Sequence, residues 1–326
     1  MPGELTLQFI KPLSSLAAGP LVFAMVRDED YLLPFFFDHY RALGIEGFVI
    51  YDDRSAAPTL ELLSAQRDCV IVRSEHRFGD SFGMNPEGTP RRLGQVLKMS
   101  LPEALLAGRW VLTVDADEFL VLPPGVASLP QLIERLDAIG QLYCTAPMVE
   151  CHGQTLADRN YPRRLSPFEG APWFDVGPYY DWRHDIVPTR LAGGVRERLM
   201  RRLAERAPHE YARIYDDHPP YPVKTWKAPL LKHGCGVTRI NSHELSLAPR
   251  TEIAAALAHF KFGPDLDAKI ATAVSEGQYY HRSMEYRLLE AAIRLLADEP
   301  LVGPQSRRFE GAQSLVDAGL LPQLGA

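Results

Sequence analysis

Arg109-Trp110-Val111-Leu112-Thr113-Val114-Asp115-Ala116-Asp117-Glu118-Phe119-Leu120 is the stretch that decides the fold: an apolar, β-prone run that stops in a cluster of carboxylates. A run of that composition marks a strand buried on both faces of a parallel sheet, and the carboxyl end of such a strand delivers its residues to the rim where α/β proteins bind ligands. Residues two apart on extended chain point the same way, so Asp115 and Asp117 can share one hard divalent cation completed by water and substrate phosphates. The stretch predicts a metal site with a nucleotide diphosphate as its ligand. An Asp after a strand is also a common turn former or helix N-cap. Against that plainer reading, two earlier strand ends are acidic as well: Arg27-Asp28-Glu29-Asp30 after Leu21–Val26, and Asp52-Asp53-Arg54-Ser55 after Phe48–Tyr51.

Outward from this stretch the chain alternates strand and helix. A strand over 21–26 is followed by a helix over 31–43 that stops at Gly44, a strand over 47–51, a short helix over 58–66 with Pro in its first turn, and a strand over 70–72. Residues 78–89 carry Gly, Asn and Pro without periodicity and predict a loop over the rim. Leu93, Val96, Leu97, Leu101 and Leu105 fall near helical spacing and predict a helix over 91–106. The predicted class is α/β, a mainly parallel sheet with helices on both faces. Beyond Leu122 the pattern gives a helix over 129–139 and a strand over 141–149. Residues 151–188, rich in Pro, aromatic and acidic side chains, have no assignable element. Residues 230–232 and 236–240 predict paired strands around His233-Gly234-Cys235, 254–262 is apolar and fits either strand or helix, and 266–275 and 284–297 predict helices. The simplest parse is one domain over 20–262, with a nucleotide-binding half to 122 and an acceptor half after it. An extension over 1–19 precedes it, and a helical extension over 263–326 follows.

With 326 residues and 46% hydrophobic content the chain can bury a large core, which excludes global disorder. A net charge of −6 gives no general attraction to nucleic acid or to an anionic membrane, so phosphate binding must be local. No apolar run approaches the roughly 20 residues that cross a bilayer. A cytoplasmic protein is expected, with peripheral membrane association compatible. Cys69, Cys144, Cys151 and Cys235 form no C-x-x-C pair and predict reduced, mostly buried thiols.

Four segments in order, Ala24-Met25-Val26-Arg27-Asp28-Glu29, Tyr40-Arg41-Ala42-Leu43-Gly44-Ile45, Val49-Ile50-Tyr51-Asp52-Asp53-Arg54-Ser55 and Val114-Asp115-Ala116-Asp117-Glu118-Phe119-Leu120, resemble the family-2-like glycosyltransferases of bacterial type. The likeness covers about residues 20–150 and continues loosely through Gly193-Gly194-Val195-Arg196-Glu197-Arg198 and Leu257-Ala258-His259-Phe260-Lys261-Phe262. It implies the GT-A fold, a Rossmann-like nucleotide-diphospho-sugar transferase. It also implies metal-dependent, inverting transfer of a sugar from a nucleotide-sugar donor to a carbohydrate or other surface-polymer acceptor, with Mn²⁺ or Mg²⁺ as cofactor.

The residue roles follow from the same resemblance. Asp52, and after it Asp53, contacts the base or ribose, although many relatives carry Asn-Gly where this chain has Asp53-Arg54. Val26, Arg27, Asp28 and Glu29 line the same pocket, unless Asp28 or Glu29 caps the helix starting near Asp30. Asp117 is the direct metal ligand, and Asp115, beside Ala116, binds ribose or a metal-bound water. His259 or His243 supplies a third ligand, the plainer alternative being a core histidine. Gln95 and Lys98 face the nucleotide or form a solvated helix face. Arg196, beside two glycines, reaches the diphosphate, while Arg198, Arg201, Arg202 and Arg206 read as an exposed basic face. The acceptor's proton goes to Asp185 or Glu197, with Asp175 and Asp181 also in that region. Trp173, Tyr179, Tyr180 and Trp182 form a sugar platform or part of the core. Two alternatives stand. A sugar nucleotidyltransferase lacks support because no Gly-rich basic loop follows the first strand. A catalytically degenerate nucleotide-binding protein is weakened by the intact Asp-Ala-Asp-Glu.

Overall fold

A computed structural model describes residues 5–84, 88, 90–177, 193–215, 225–247 and 253–324. A short strand β1 (Gln8–Phe9) precedes the expected alternation of β2 (Leu21–Val26), α1 (Leu32–Ala42), β3 (Gly47–Asp52), α2 (Ala57–Ala65) and β4 (Cys69–Arg73). Both faces of β2 and β3 are apolar, and each face has its own helix. Val22, Ala24, Val26, Phe48 and Ile50 pack with Phe36, Phe37 and Tyr40 of α1. The alternate residues Leu21, Phe23, Val49 and Tyr51 pack with Leu93, Leu97 and Leu101 of the helix that precedes the quoted stretch. The period-two alternation of the strands thus divides one apolar run between two layers. Gly44, at φ +89°, ends α1 as expected, because the left-handed residue past a helix terminus costs glycine nothing.

Residues 78–89 are not all loop: β5 (Ser81–Met84) and β6 (Pro90–Arg92) pair as a hairpin leading into α3 (Leu93–Leu105). The quoted stretch forms β7 (Trp110–Thr113) and β8 (Glu118–Val121), broken at the Asp-Ala-Asp turn. There follow α4 (Leu129–Ala138), β9 (Tyr143–His152), α5 (Pro167–Gly170), β10 (Trp173–Asp175), α6 (Val195–Arg206), α7 (Pro208–Tyr215), β11 (Trp226–Lys232), β12 (Ala256–His259), α8 (Leu266–Glu276), α9 (Tyr280–Leu296), β13 (Ser306–Arg308) and α10 (Ala312–Asp317). The ambiguous apolar segment is therefore a strand. Residues 236–240 form none, because Gly236 turns the chain at φ +85° and only Arg239 makes a bridge, to Leu245.

The sheet runs β1-β4-β3-β2-β7-β11-β9-β10-β13, with β8 and β12 attached beside β9. The central β4, β3, β2 and β7 are mutually parallel. The fold is mixed α/β with a largely parallel central sheet flanked by helices. Antiparallel strands extend it at both margins, β1 on β4 and β11 between β7 and β9. β12 lies parallel to β9 and antiparallel to β8, which brings His259 opposite both Glu118 and Glu150. α6 and α7 share a second apolar core with α8 and α9, through Leu199, Leu203, Ile270 and Leu289. Among the described residues no helix is long and apolar enough to cross a membrane.

Asp175, weighed above as an acceptor-side carboxylate, is a joint instead. It receives Arg198 of α6 at 2.7 and 3.0 Å and the Ser306 hydroxyl of β13 at 2.8 Å, and faces His152 of β9 at 3.4 Å. Burial would raise its pKa, but hydrogen bonds from His152, Arg198 and Ser306 overcome this and hold it at about 2. A depressed carboxyl contributes stability that is present above its unfolded pKa and is lost as pH falls through the folded value. Asp175→Asn is expected to cost about 3 kcal/mol near neutrality, because it leaves Arg198 buried without its charge partner. In denaturant titrations the difference from wild type should shrink as pH is taken from about 4 towards 2.

Candidate functional site

β2, β3 and β7 end on one rim, and the turns after them carry the three acidic clusters. At the end of β7, Asp117 faces His259, with Oδ2 and Nε2 3.4 Å apart, while its carbonyl accepts the Phe260 amide at 2.8 Å. Glu118 sits opposite His259 in the β8–β12 ladder. Donor atoms of Asp117, Glu118 and His259 lie within 4.8 Å of one another, a buried acidic and imidazole group that could hold a metal ion. The donor set of two carboxylates and an imidazole fits a divalent cation, with His259 Nε2 facing Asp117 and Nδ1, buried without a hydrogen-bond partner, turned towards Glu150 at 3.9 Å. Burial works to raise the Asp117 pKa, yet the charges of His259, Lys261 and Lys269 hold it well below the usual carboxylate range.

The expected pairing of Asp115 with Asp117 on one cation is not what the turn provides. Both Asp115 oxygens are engaged by lysines, Oδ1 by Lys98 and Oδ2 by Lys227 at 3.0 Å, and Lys227 also donates to Glu118. Its ionised form is favoured because these two ammonium groups outweigh the burial that opposes it. The second carboxylate near Asp117 is Glu118, presented by the strand that restarts after the turn. His243 is likewise not in the metal group, since its Nδ1 lies 2.8 Å from the Trp226 carbonyl.

At the end of β3 the two aspartates differ in how far the protein engages them. Asp52 is fully engaged, Oδ2 by Arg73 at 2.7 Å and Oδ1 by the Ser55 amide at 3.3 Å. Asp53 accepts the Phe78 amide at 2.9 Å on Oδ1, while its Oδ2 is buried with no partner. Burial pushes the Asp53 carboxyl up to about 6. The sequence did not distinguish them because neighbours on a strand differ only in which face they meet.

The remaining expectations divide in the same way. Val26 and Ala116 are buried, and the Val26 carbonyl accepts the Asp53 amide at 2.9 Å. Arg27 pairs with Glu276 at 2.6 and 2.7 Å, and Arg77 shares that carboxylate at 2.8 Å, tying the rim to α8. Asp28, at φ +54°, accepts the Ala56 amide at 2.7 Å just ahead of α2, and α1 has no side-chain cap. Glu29 accepts Lys269 at 2.7 Å, with its carboxyl pushed up to about 7 by burial. Lys98 faces the site and not solvent, and Gln95 lies half-buried one turn before it. Arg196 does not offer its charge to a ligand. Its amide donates to Glu150 at 3.0 Å and its guanidinium engages Glu150 and Glu285. The adjoining Gly194 serves that contact, for at φ +86° a Cβ would stand 2.9 Å from Glu150 Oε2. Arg198 and Arg202 meet protein oxygens, Asp175 and the Pro300 carbonyl among them. Glu197 lies half-buried in the first turn of α6 without an ion pair among the described residues. Asp181, Asp185, Tyr179, Tyr180 and Trp182 lie outside the described residues, and Trp173 is half-buried on β10.

Lys227, Glu150, Lys261, Lys269 and Glu285 were missed. Lys227, Glu150 and Lys261 are single charges inside apolar strand sequence, which is a usable signal because such a group must find a partner. Lys269 and Glu285 sit on amphipathic helices, where a charge attracts no notice. Lys261 donates to the Tyr286 hydroxyl at 3.2 Å and lies over that ring.

A raised carboxyl pKa binds its proton more tightly in the native state, so ionisation of Asp53 is a destabilising contribution that grows as pH rises from about 4 to about 6. Asp53→Asn should therefore melt above wild type at pH 7 and together with it at pH 4. Asp52→Asn, which strands Arg73, should melt lower at pH 7. No protein-family model and no curated protein matches this sequence.

Proposed function

We propose that this chain is a metal-dependent glycosyltransferase of GT-A type, moving a sugar with inversion from a nucleotide-sugar donor to a carbohydrate or other surface-polymer acceptor. The observation that supports it is the pairing, on one rim, of the Asp117–Glu118–His259 group after β7 with the unpartnered Asp53 oxygen after β3. Only β2 lies between those strands. Two strand spacings, roughly 10 Å, match the reach from a nucleoside's base to its diphosphate.

Asp53 accepts a hydrogen bond from a base imide or ribose hydroxyl. Asp117 and His259, with Glu118, hold the cation, and the imidazole in that set favours Mn²⁺ over Mg²⁺. When bound, the cation neutralises the diphosphate and assists its departure as a Lewis acid. Lys98, Lys227, Lys261 and Lys269 surround the carboxylates with ammonium groups that complement phosphate oxygens in a buried setting. Glu197, whose carboxylate is not engaged by another charge, or Asp185 takes the acceptor hydroxyl's proton as the anomeric carbon is attacked.

A melting panel of UDP, GDP, CDP, TDP and ADP, each with Mn²⁺, Mg²⁺ or chelator, tests this. One base should give a metal-dependent stabilisation of about 2.7 kcal/mol at 100 times its dissociation constant. Asp117→Asn should remove the metal-dependent part while circular dichroism stays native. Absence of any nucleotide shift in the wild type would sink the proposal.

A further inference from the structure

Buried cations need anions. Among the described residues the fully cationic side chains that are buried are Arg196, Lys227 and Arg239. Arg196 has Glu150 and Glu285, and Lys227 has Asp115 and Glu118. Arg239, 6% exposed, has no carboxylate within ion-pair distance among the described residues. Its one protein acceptor is the Pro229 carbonyl at 3.1 Å, and its Nε is buried without a partner. Burial pulls its pKa down to about 10, against the opposing charge of Glu118, which makes no ion pair with it among the described residues. A guanidinium in that condition destabilises the fold unless something compensates it.

Arg239 lines a groove of about 320 Å³ shared with Arg91, Val96, Met99, Ser100, Glu103 and Thr238. That volume is at the lower end of small-molecule sites. Val96, Ser100 and Glu103 fall on one face of α3, and at 100° per residue Lys98 projects from the opposite face. The groove therefore opens on the face of α3 opposite Lys98, while Arg239 lies near enough to the rim to feel the charge of Glu118. Its wall carries Val96, Met99 and Ala104, so an occupant needs an apolar body as well as an anionic head. Glu103, although engaged by His233 at 2.8 Å and the Gly234 amide at 3.1 Å, weighs against a doubly charged head.

We infer that this groove is a ligand site for a small apolar monocarboxylate, whose head group supplies the charge partner that Arg239 lacks in the protein. The guanidinium fork matches a carboxylate in two parallel hydrogen bonds. The site stands independently of the transferase reading.

The test uses the full chain with hexanoate, hexyl phosphate and inorganic phosphate as probes, followed by calorimetric titration and thermal melting. Hexanoate should bind and raise the melting temperature of wild type. Arg239→Met and Ser100→Glu should each weaken its binding at least tenfold, the first by removing the cation and the second by placing a carboxylate in the groove. Without ligand, Arg239→Met should melt above wild type, since it removes an uncompensated buried charge; a role in holding the fold would move the melting temperature the other way. The inference is overturned if hexanoate does not bind wild type, if it binds Arg239→Met equally well, or if that variant melts lower. Hexyl phosphate or inorganic phosphate binding as tightly as hexanoate would overturn the assignment of a singly charged carboxylate.

Discussion

Carboxylates gathered at one buried rim must be neutralised, and that requirement joins the two halves of this molecule. Asp115, Asp117 and Glu118 are delivered by the N-terminal sheet, whereas Lys227, His259, Lys261 and Lys269 come from β11, β12, the segment after β12 and α8. Glu29 at the end of β2 closes on Lys269, and Arg27 closes on Glu276 of the same helix. Such pairs add little net stability over apolar packing of the same volume. Losing one partner costs more, since the other charge stays buried. The antiparallel margin and the C-terminal helices are thereby held against the parallel core by charge as well as by apolar contact.

The same accounting separates groups that hold the fold from groups left available to a ligand. Asp52, Asp175 and Arg196 are engaged by other parts of the protein, and each ties together elements distant in sequence. Asp53 Oδ2 and His259 Nδ1 are buried and unanswered. A buried polar atom without a protein partner costs about 1–3 kcal/mol, which a water, an ion or a ligand can recover. Residue type alone ranks Asp52 with Asp53. Partner assignment ranks them differently.

This explains what the sequence could and could not tell. The strand ends were legible because a buried parallel strand is an uninterrupted apolar run and its end is an abrupt change of composition, as at Thr113 and Asp52. Asp117 was legible for the same reason, and His259 because it stands alone in Leu-Ala-His-Phe. The lysines around Asp115 were not, because their pairing depends on the antiparallel insertion of β11 between β7 and β9, a long-range arrangement that no local pattern encodes. Gly194 misled in an instructive way: its freedom to approach closely is real, but what it approaches is Glu150.

Glu150 shows how the layers of the site depend on one another. It lies on β9 in parallel register with His259 and receives both the backbone amide and the guanidinium of Arg196, which fixes the first turn of α6. That turn also carries Glu197, so the position of this carboxylate is set by the one that stands behind the His259 imidazole. Groups that orient a ligating imidazole from its far side govern its direction and basicity. One buried acid, invisible as a motif, therefore positions both the His259 imidazole and the first turn of α6, and its neighbour Gly194 must stay without a side chain for it to do so.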